Sequence, residues 1–330
     1  MGDVILTTSF LRQLHNKYRD ASIDFATALP FAEILKYNPR INRIFEYDKS
    51  AAQKEIIEQR NNFIREGGFE KYDLAIDLQK NLRSKMLLSG ISKNNLYYKK
   101  RRLHKLSLVY RKKPLGPVMP IPELYRMAAE AAGVEDDGSG LEIWLPGESG
   151  LDSYPPFEKN SVPDKIRIAM APGAKHITKR WPSEKFAELA NMLIEEKDAE
   201  IILLGGKEDK EICGYIADKC GGKAKDHCGK TNILETARII DRCSLLITND
   251  SGVMHIAAAR QTPVAAIFGS TVPAFGFGPF RVQHEIIEKP VVCRPCTHIG
   301  RAECPKKHFD CMKLISVSDV LKAVERHINK

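Results

Sequence analysis

Residues 244–270 read SLLITNDSGVMHIAAARQTPVAAIFGS. The apolar run 245–248 predicts a buried strand. Asn249, Asp250, Ser251 and Gly252 interrupt it with turn and helix-capping chemistry. The Ala-rich run 253–259 fits a buried helix, Gln261-Thr262-Pro263 ends it, and 264–268 is a second buried strand. The unit is strand, loop, helix, strand, with its polar loop at the carboxyl end of the first strand. In open parallel sheets ligands bind at that end. A helix start built from small polar residues offers free N–H groups and the positive end of a dipole, which suits a phosphate. The same pattern also fits an ordinary capped βαβ turn, because fold alone does not fix function.

The rhythm extends in both directions. Downstream of residue 164 the expected order is strand 165–170 ending in Ala171-Pro172-Gly173-Ala174, helix 182–196 capped near Ser183, strand 200–204 running into Gly205-Gly206, helix 210–219, a polar turn at 230–232 and helix 233–243. A helix over 318–328 closes the chain. Upstream, Asp3 is placed to cap a helix over 4–18, followed by strands at 22–27, 43–47 and 72–78 and helices at 31–37, 54–66, 81–88 and 121–132. The Pro-, Gly- and Ser-rich stretch 146–163 reads as a linker. The expectation is an α/β protein of two doubly wound units, 1–150 and 165–317, with 318–330 a terminal helix. A doubly wound sheet normally has a strand before its first ligand loop, in the middle of the sheet. Here the chain opens at Gly2-Asp3, already inside that loop, so the N-terminal sheet is expected to lack its central strand.

Composition narrows the class. The 330 residues suffice for two cores, and 43% hydrophobic with 28% charged is ordinary for a globular protein. No apolar run approaches the roughly 20 residues a membrane span requires. The start MGDVILTTSF is not a secretory signal, so a cytoplasmic location is expected. Net charge is +9, with a dense basic stripe at 99–113, KKRRLHKLSLVYRKK. It suits an anionic partner, whether phosphorylated ligand, acidic lipid surface or nucleic acid, or is simply a solvated face. All eight cysteines follow residue 212. Cys293, Cys296, Cys304 and Cys311 cluster with His298 and His308 nearby, and one Cys-x2-Cys spacing is good for a metal. A structural zinc and a set of reduced surface thiols are both open on spacing alone.

Three segments, in order, resemble glycosyltransferase family 9, the bacterial ADP-heptose:lipopolysaccharide heptosyltransferases. They are Gly2-Asp3-Val4-Ile5-Leu6-Thr7-Thr8; Ala171-Pro172-Gly173-Ala174 with Lys179-Arg180-Trp181-Pro182; and Thr248-Asn249-Asp250-Ser251-Gly252-Val253-Met254-His255. Smaller echoes are Asp77-Leu78-Gln79 and Leu204-Gly205-Gly206 with Glu208. The form of the second and third segments is most similar to the second-heptose enzymes. The resemblance implies GT-B architecture, two Rossmann-like units facing across a cleft. The C-terminal unit would hold ADP-heptose and the N-terminal unit the lipid A–core acceptor, at the inner face of the inner membrane. Lys99, Lys100, Arg101, Arg102 and Lys105 would meet the anionic acceptor.

The chemistry asks for a base and a way to hold the departing diphosphate. Asp3 matches the position of the family's base, although an Asp at a helix start is also a common cap. Lys179 matches its phosphate-contacting lysine. Gly173, Glu208, Thr231, Asp250, Ser251, Gly252 and His255 fall at the donor, with Glu208 on the ribose, Thr231 bordering adenine and Asp250 on the sugar. Transfer with inversion and no covalent intermediate is implied. The chain contains no Asp-x-Asp pair, so no cofactor is expected, with cations and a helix dipole in place of a metal. Rival readings are a transferase for another nucleotide sugar or an epimerase on the same fold, and, in a different class, a basic nucleic-acid-binding protein with a zinc loop. The finger spacing is poor for the last, so no nucleic-acid partner is expected. A Rossmann oxidoreductase fails because no Gly-x-Gly-x-x-Gly follows a strand.

Overall fold

The computed structural model describes residues 1–68, 70–148 and 165–328. Residues 149–163 of the expected linker lie outside the described residues. The run that opened the reading is the middle of a sheet. Strands β5 (Arg167–Ala171), β6 (Glu200–Leu203), β7 (Lys225–Asp226), β8 (Leu245–Asn249), β9 (Val264–Ile267) and β10 (His284–Ile287) form one sheet, paired in parallel throughout. Its order is β10-β9-β8-β5-β6-β7. Every residue of β8 and β9 is buried. That explains their unbroken apolar sequences, since a parallel sheet covered on both faces has no wet side to alternate with. Chain order reverses between β5 and β8, so their carboxyl ends open the crevice in which such sheets bind ligands.

One face of this sheet packs Trp181, Phe186, Leu189, Leu193, Ile216, Val320 and Val324. The closing helix Val317–Ile328 belongs to that layer. The other face buries Leu234, Ala237, Met254 and Ile256 in a core shared with Ile5, Leu6, Phe10, Leu141 and Ile143 from the N-terminal half. The helix Gly2–Ile5 packs directly against Gly252–Ala259.

In the N-terminal half the strands form two separate parallel pairs, β1 (Asp24–Ala28) with β2 (Arg43–Tyr47) and β3 (Tyr72–Asp77) with β4 (Ser92–Tyr97). The two pairs are tied at their starts: Asp24 accepts a hydrogen bond from Tyr72 Oη at 2.8 Å and one from Arg43 at 2.6 Å. Three sequence expectations need correction here. The helix expected over 4–18 is two helices, Gly2–Ile5 and Thr8–Lys17. Thr7 and Thr8 hydroxyls donate back to the carbonyls of Val4 and Ile5, each at 2.7 Å, which competes with the helical ladder at that point. Asp3 is not the cap: Met1 holds that position and Asp3 lies within the first turn. The polar strand β4 and the helix Arg102–Leu106, which widens into a π turn over Ser107–Arg111, carry no clear period in the sequence and were not expected.

Polar clamps join the halves. Arg260, fully buried, donates to the Ile143 carbonyl at 2.7 Å and to both carboxylate oxygens of Glu148 at 2.9 and 3.0 Å. Arg281 bridges Glu123 at 2.6 Å and Asp136 at 2.5 Å.

Candidate active site

The crevice between β5 and β8 is organised by Asn249, the last residue of β8. Its amide donates to the Pro172 carbonyl at 2.7 Å and accepts from the Trp181 backbone N–H at 3.0 Å. One side chain thus stitches the loop after β5 to the loop after β8. Trp181 is wholly buried, with its indole N–H on the Ile315 carbonyl, so it packs and does not stack on a ligand. This fastening aims Lys179, at the end of the short turn Ile177–Lys179, across the crevice. Lys179 Nζ lies 2.8 Å from Asp250 Oδ2, and Thr271 Oγ1 donates to the same oxygen at 2.6 Å. Asp250 is 7% exposed, so a partnered carboxylate is what this position tolerates.

Behind Asp250, Ser251 is the N-cap residue of Gly252–Ala259, yet its side chain makes no capping bond and instead meets Thr248 Oγ1 at 3.2 Å. The first N–H groups of this helix thus have no side-chain cap from Ser251, at the positive end of the dipole, the arrangement that suits an anion. Gly252 is packed close to the chain start: a Cβ there would lie 2.3 Å from Met1 Cε, the mobile tip of a flexible side chain. His255 follows one turn on. It is 4% exposed, burial pushes its pKa down to about 4, and Nδ1 has no hydrogen-bond partner. The imidazole is neutral at physiological pH, with Asp250, Asp3 and Lys179 all within electrostatic reach. Asp3 itself is exposed and also acts on Tyr98, Lys105 and Tyr125 of the N-terminal half. The structure thus brings Asp3, Lys179, Asp250, Ser251, Gly252 and His255 to one place.

The remaining donor candidates lie on the neighbouring loops. Gly173 is pressed against Asp209, whose Cγ would be 2.2 Å from a Cβ at 173. Asp209 also accepts from the Gly206 N–H at 3.1 Å and faces Arg180 at 3.5 Å, and burial raises its pKa. Glu208 is exposed on the same turn, its carboxylate folded over Gly206. The turn leading to Thr231 is tied to this point by the Gly229 N–H on the Gly205 carbonyl, and Thr231 pairs with Thr236 at 2.8 Å. Asn249, Asp209 and Thr271 were not singled out in the sequence. The only signals were the Asn in the NDSG run and an Asp three residues beyond the glycine pair.

In the half expected to meet the acceptor, Tyr98, Arg101, His104 and Lys105 line a small cleft with Phe275 of the other half. Lys105 sits over the Phe277 ring at 5.4 Å, and burial lowers its pKa. Arg101 spends its guanidinium on the carbonyls of Leu115 and Pro117, while Lys99, Lys100 and Arg102 are exposed. Cys293 Sγ approaches His308 Nε2 at 3.7 Å, but among the described residues Cys293, Cys296, Cys304 and Cys311 supply no three ligand atoms within 4.8 Å of one another. The set that meets that distance is Cys213, Asp226 and Cys228. The cysteine loop has a different structural duty. Arg301 exchanges hydrogen bonds with Thr178, next to Lys179, and Lys112 Nζ donates to the carbonyls of Cys293 at 3.1 Å and Pro295 at 2.7 Å.

Comparison with known proteins places the chain in a family. The sequence profile of glycosyltransferase family 9 (heptosyltransferase) matches residues 60–307. The chain is 28% identical over 290 residues to lipopolysaccharide heptosyltransferase 2 of Escherichia coli K12, covering 83% of this chain and 82% of that protein. A family 9 glycosyltransferase from Veillonella parvula superposes with a TM-score of 0.76 at 23% identity, over 99% of this chain and 94% of the other. The E. coli ADP-heptose lps heptosyltransferase II gives 0.71 at 20% identity, over 99% and 96%. The architecture is GT-B, and the protein is a glycosyltransferase. The chain belongs to glycosyltransferase family 9 (heptosyltransferase).

Proposed function

We propose that this protein transfers heptose, with inversion, from ADP-heptose to the heptosylated inner core of lipopolysaccharide. The observation that carries the reading is the convergence of Lys179, Asp250, His255 and an uncapped helix start on Asp3. The acceptor hydroxyl attacks the anomeric carbon while Asp3 takes its proton. The bond from that carbon to the diphosphate oxygen breaks on the opposite face, and ADP leaves. Lys179 and the N–H groups of Ser251 and Gly252 stabilise the charge that develops on the diphosphate. Asp250 cannot attract phosphate; it orients Lys179 and meets the sugar. Neutral His255 offers one hydrogen bond without adding charge. Glu208, Gly173 and the turn at Thr231 border the nucleotide. Lys99, Lys100, Arg101, Arg102 and Lys105 face the anionic acceptor, and Lys105, near Asp3, meets the acceptor closest to the reacting hydroxyl.

The test is ADP release from ADP-heptose with and without a heptosylated lipid A–core acceptor. Acceptor-dependent release is the expected result. Release that ignores the acceptor, or none from folded protein, would overturn the reading.

A further inference from the structure

From Leu78 to Pro122 the chain carries twelve Lys and Arg and no Asp or Glu, although the whole protein is only +9. Of the fifteen large apolar side chains exposed among the described residues, seven fall in this same stretch. Solvated charged faces do not ordinarily collect exposed Leu, Tyr and Val, so the coincidence calls for a partner that wants both. The helical run 102–111 shows how the two are arranged. His104 and Leu108, four residues apart, point inward and are buried. Leu103, Leu106 and Tyr110 lie at spacings of three and four on the opposite side and are 70%, 51% and 78% exposed. Leu115 and Val118 continue the apolar edge beyond the helix, at 48% and 50%. Lys99, Lys100, Arg102, Arg111 and Lys113 border it and are exposed.

The surface is rigidly held. Lys112, in the left-handed conformation, ends the run and anchors it through the Cys293 and Pro295 carbonyls. His104 sits between the Leu115 carbonyl at 2.9 Å and the Ala274 carbonyl at 3.2 Å. The inner side of the same run lines the acceptor cleft through His104 and Lys105.

We infer that the outer face of 102–118 is a membrane-docking surface that inserts Leu103, Leu106 and Tyr110 into an anionic bilayer while its basic border meets the phosphates. Apolar side chains ringed by cations are the pattern of interfacial binding, in which hydrophobic burial and attraction to acidic lipid add. Docking this face holds the acceptor cleft, on the inner side of the same run, one helix diameter (~10 Å) from the bilayer surface, where a lipid-anchored acceptor stands. This last point rests on the proposed transferase function; the docking itself does not.

The test uses the intact protein and vesicles of phosphatidylethanolamine with phosphatidylglycerol, against vesicles of phosphatidylcholine alone. Sedimentation is expected with the anionic vesicles and to weaken as salt rises. The variant Leu103→Ser, Leu106→Ser, Tyr110→Ser should lose on the order of tenfold to hundredfold in partition, with its melting temperature largely kept because these side chains are half or more exposed. Arg111→Glu with Lys113→Glu should weaken low-salt binding. A second readout needs no loss of binding. Trp144 and Trp181 are both wholly buried, so Tyr110→Trp adds one exposed reporter whose emission should shift to the blue on anionic vesicles.

Binding undiminished in the triple variant, or no blue shift, overturns the inference. So does a dimer in solution that the triple variant disperses, or capture of homopolymer RNA in the absence of any vesicle binding. If vesicle binding fails while ADP release from detergent-dispersed acceptor proceeds, the surface is wrong and the transferase reading stands.

Discussion

Replacing Lys179 with Ala separates its two duties. Its ammonium sits 2.8 Å from Asp250 in the structure, in a crevice where both side chains are mostly shielded. When the diphosphate departs, a full negative charge develops about 4 Å from that ammonium. Coulomb's law with an effective dielectric near 20 puts the attraction at about 4 kcal/mol. Lys179 shares itself with Asp250, so roughly half of this is net, and kcat/KM should fall on the order of 30-fold. The second duty is structural. Without Lys179, Asp250 keeps only the Thr271 hydroxyl among these two partners, and a buried carboxylate losing a charged partner costs about 1–3 kcal/mol. For a protein of this size that is a Tm lower by several degrees, roughly. The double variant Lys179→Ala, Asp250→Asn removes the stranded charge and should recover Tm without recovering rate. Initial rates of ADP release across donor concentrations, beside thermal melts of the same preparations, provide both readouts. A folded Lys179→Ala enzyme with kcat/KM within about twofold of wild type would refute the reasoning.

Three other outcomes are expected. Asp3→Asn should lower kcat by about 10²–10⁴-fold with ADP affinity by calorimetry unchanged, and an unaltered kcat removes Asp3 as base. For His255 the folded pKa of about 4 lies below the ordinary 6.5, so between those values the unfolded chain binds the extra proton. Its contribution is therefore complete above about pH 6.5, is diminished by about 2 kcal/mol at pH 5 and is lost as pH falls through 4. Denaturant melts should show His255→Gln less acid-sensitive than wild type over that window; parallel curves would contradict the burial argument. Arg281→Ser cuts the bridge from Arg281 to Glu123 and Asp136, part-exposed pairs worth about 1 kcal/mol together, and should raise both the radius of gyration in solution scattering and the donor KM. Identical scattering from variant and wild type would show that the bridge does not hold the halves.

The C-terminal sheet was legible because its strands are buried on both sides. Runs such as 245–248 and 264–268 have a single reading, and the helix over 210–219 was placed to the residue. The site was legible where a family segment coincides with a chain reversal, as at Lys179 and Asp250–Gly252. What escaped has physical reasons. Strand β4, Ser-Lys-Asn-Asn-Leu-Tyr, is mostly exposed and has no apolar alternation to read. The helix 102–111 hid inside a charge run, because its inward face is only His104 and Leu108. Asp3 read as a cap since sequence cannot tell the first residue before a helix from one inside its first turn. Asn249, Thr271 and Asp209 serve through contacts with residues distant in the chain, and distant contacts leave no local pattern.

The cysteine loop touches both sides of the cleft at once: Arg301 on Thr178 beside Lys179, and the carbonyls of Cys293 and Pro295 on Lys112 at the end of the basic helix. It is a tie rod, and a tie rod belongs to neither part it joins. Recombination between relatives that exchanges the first half of the chain to change acceptor choice would leave residues 293–301 fitted to the wrong neighbour. Such hybrids should be built with that loop travelling alongside the N-terminal half, although some 180 residues separate Lys112 from Cys293.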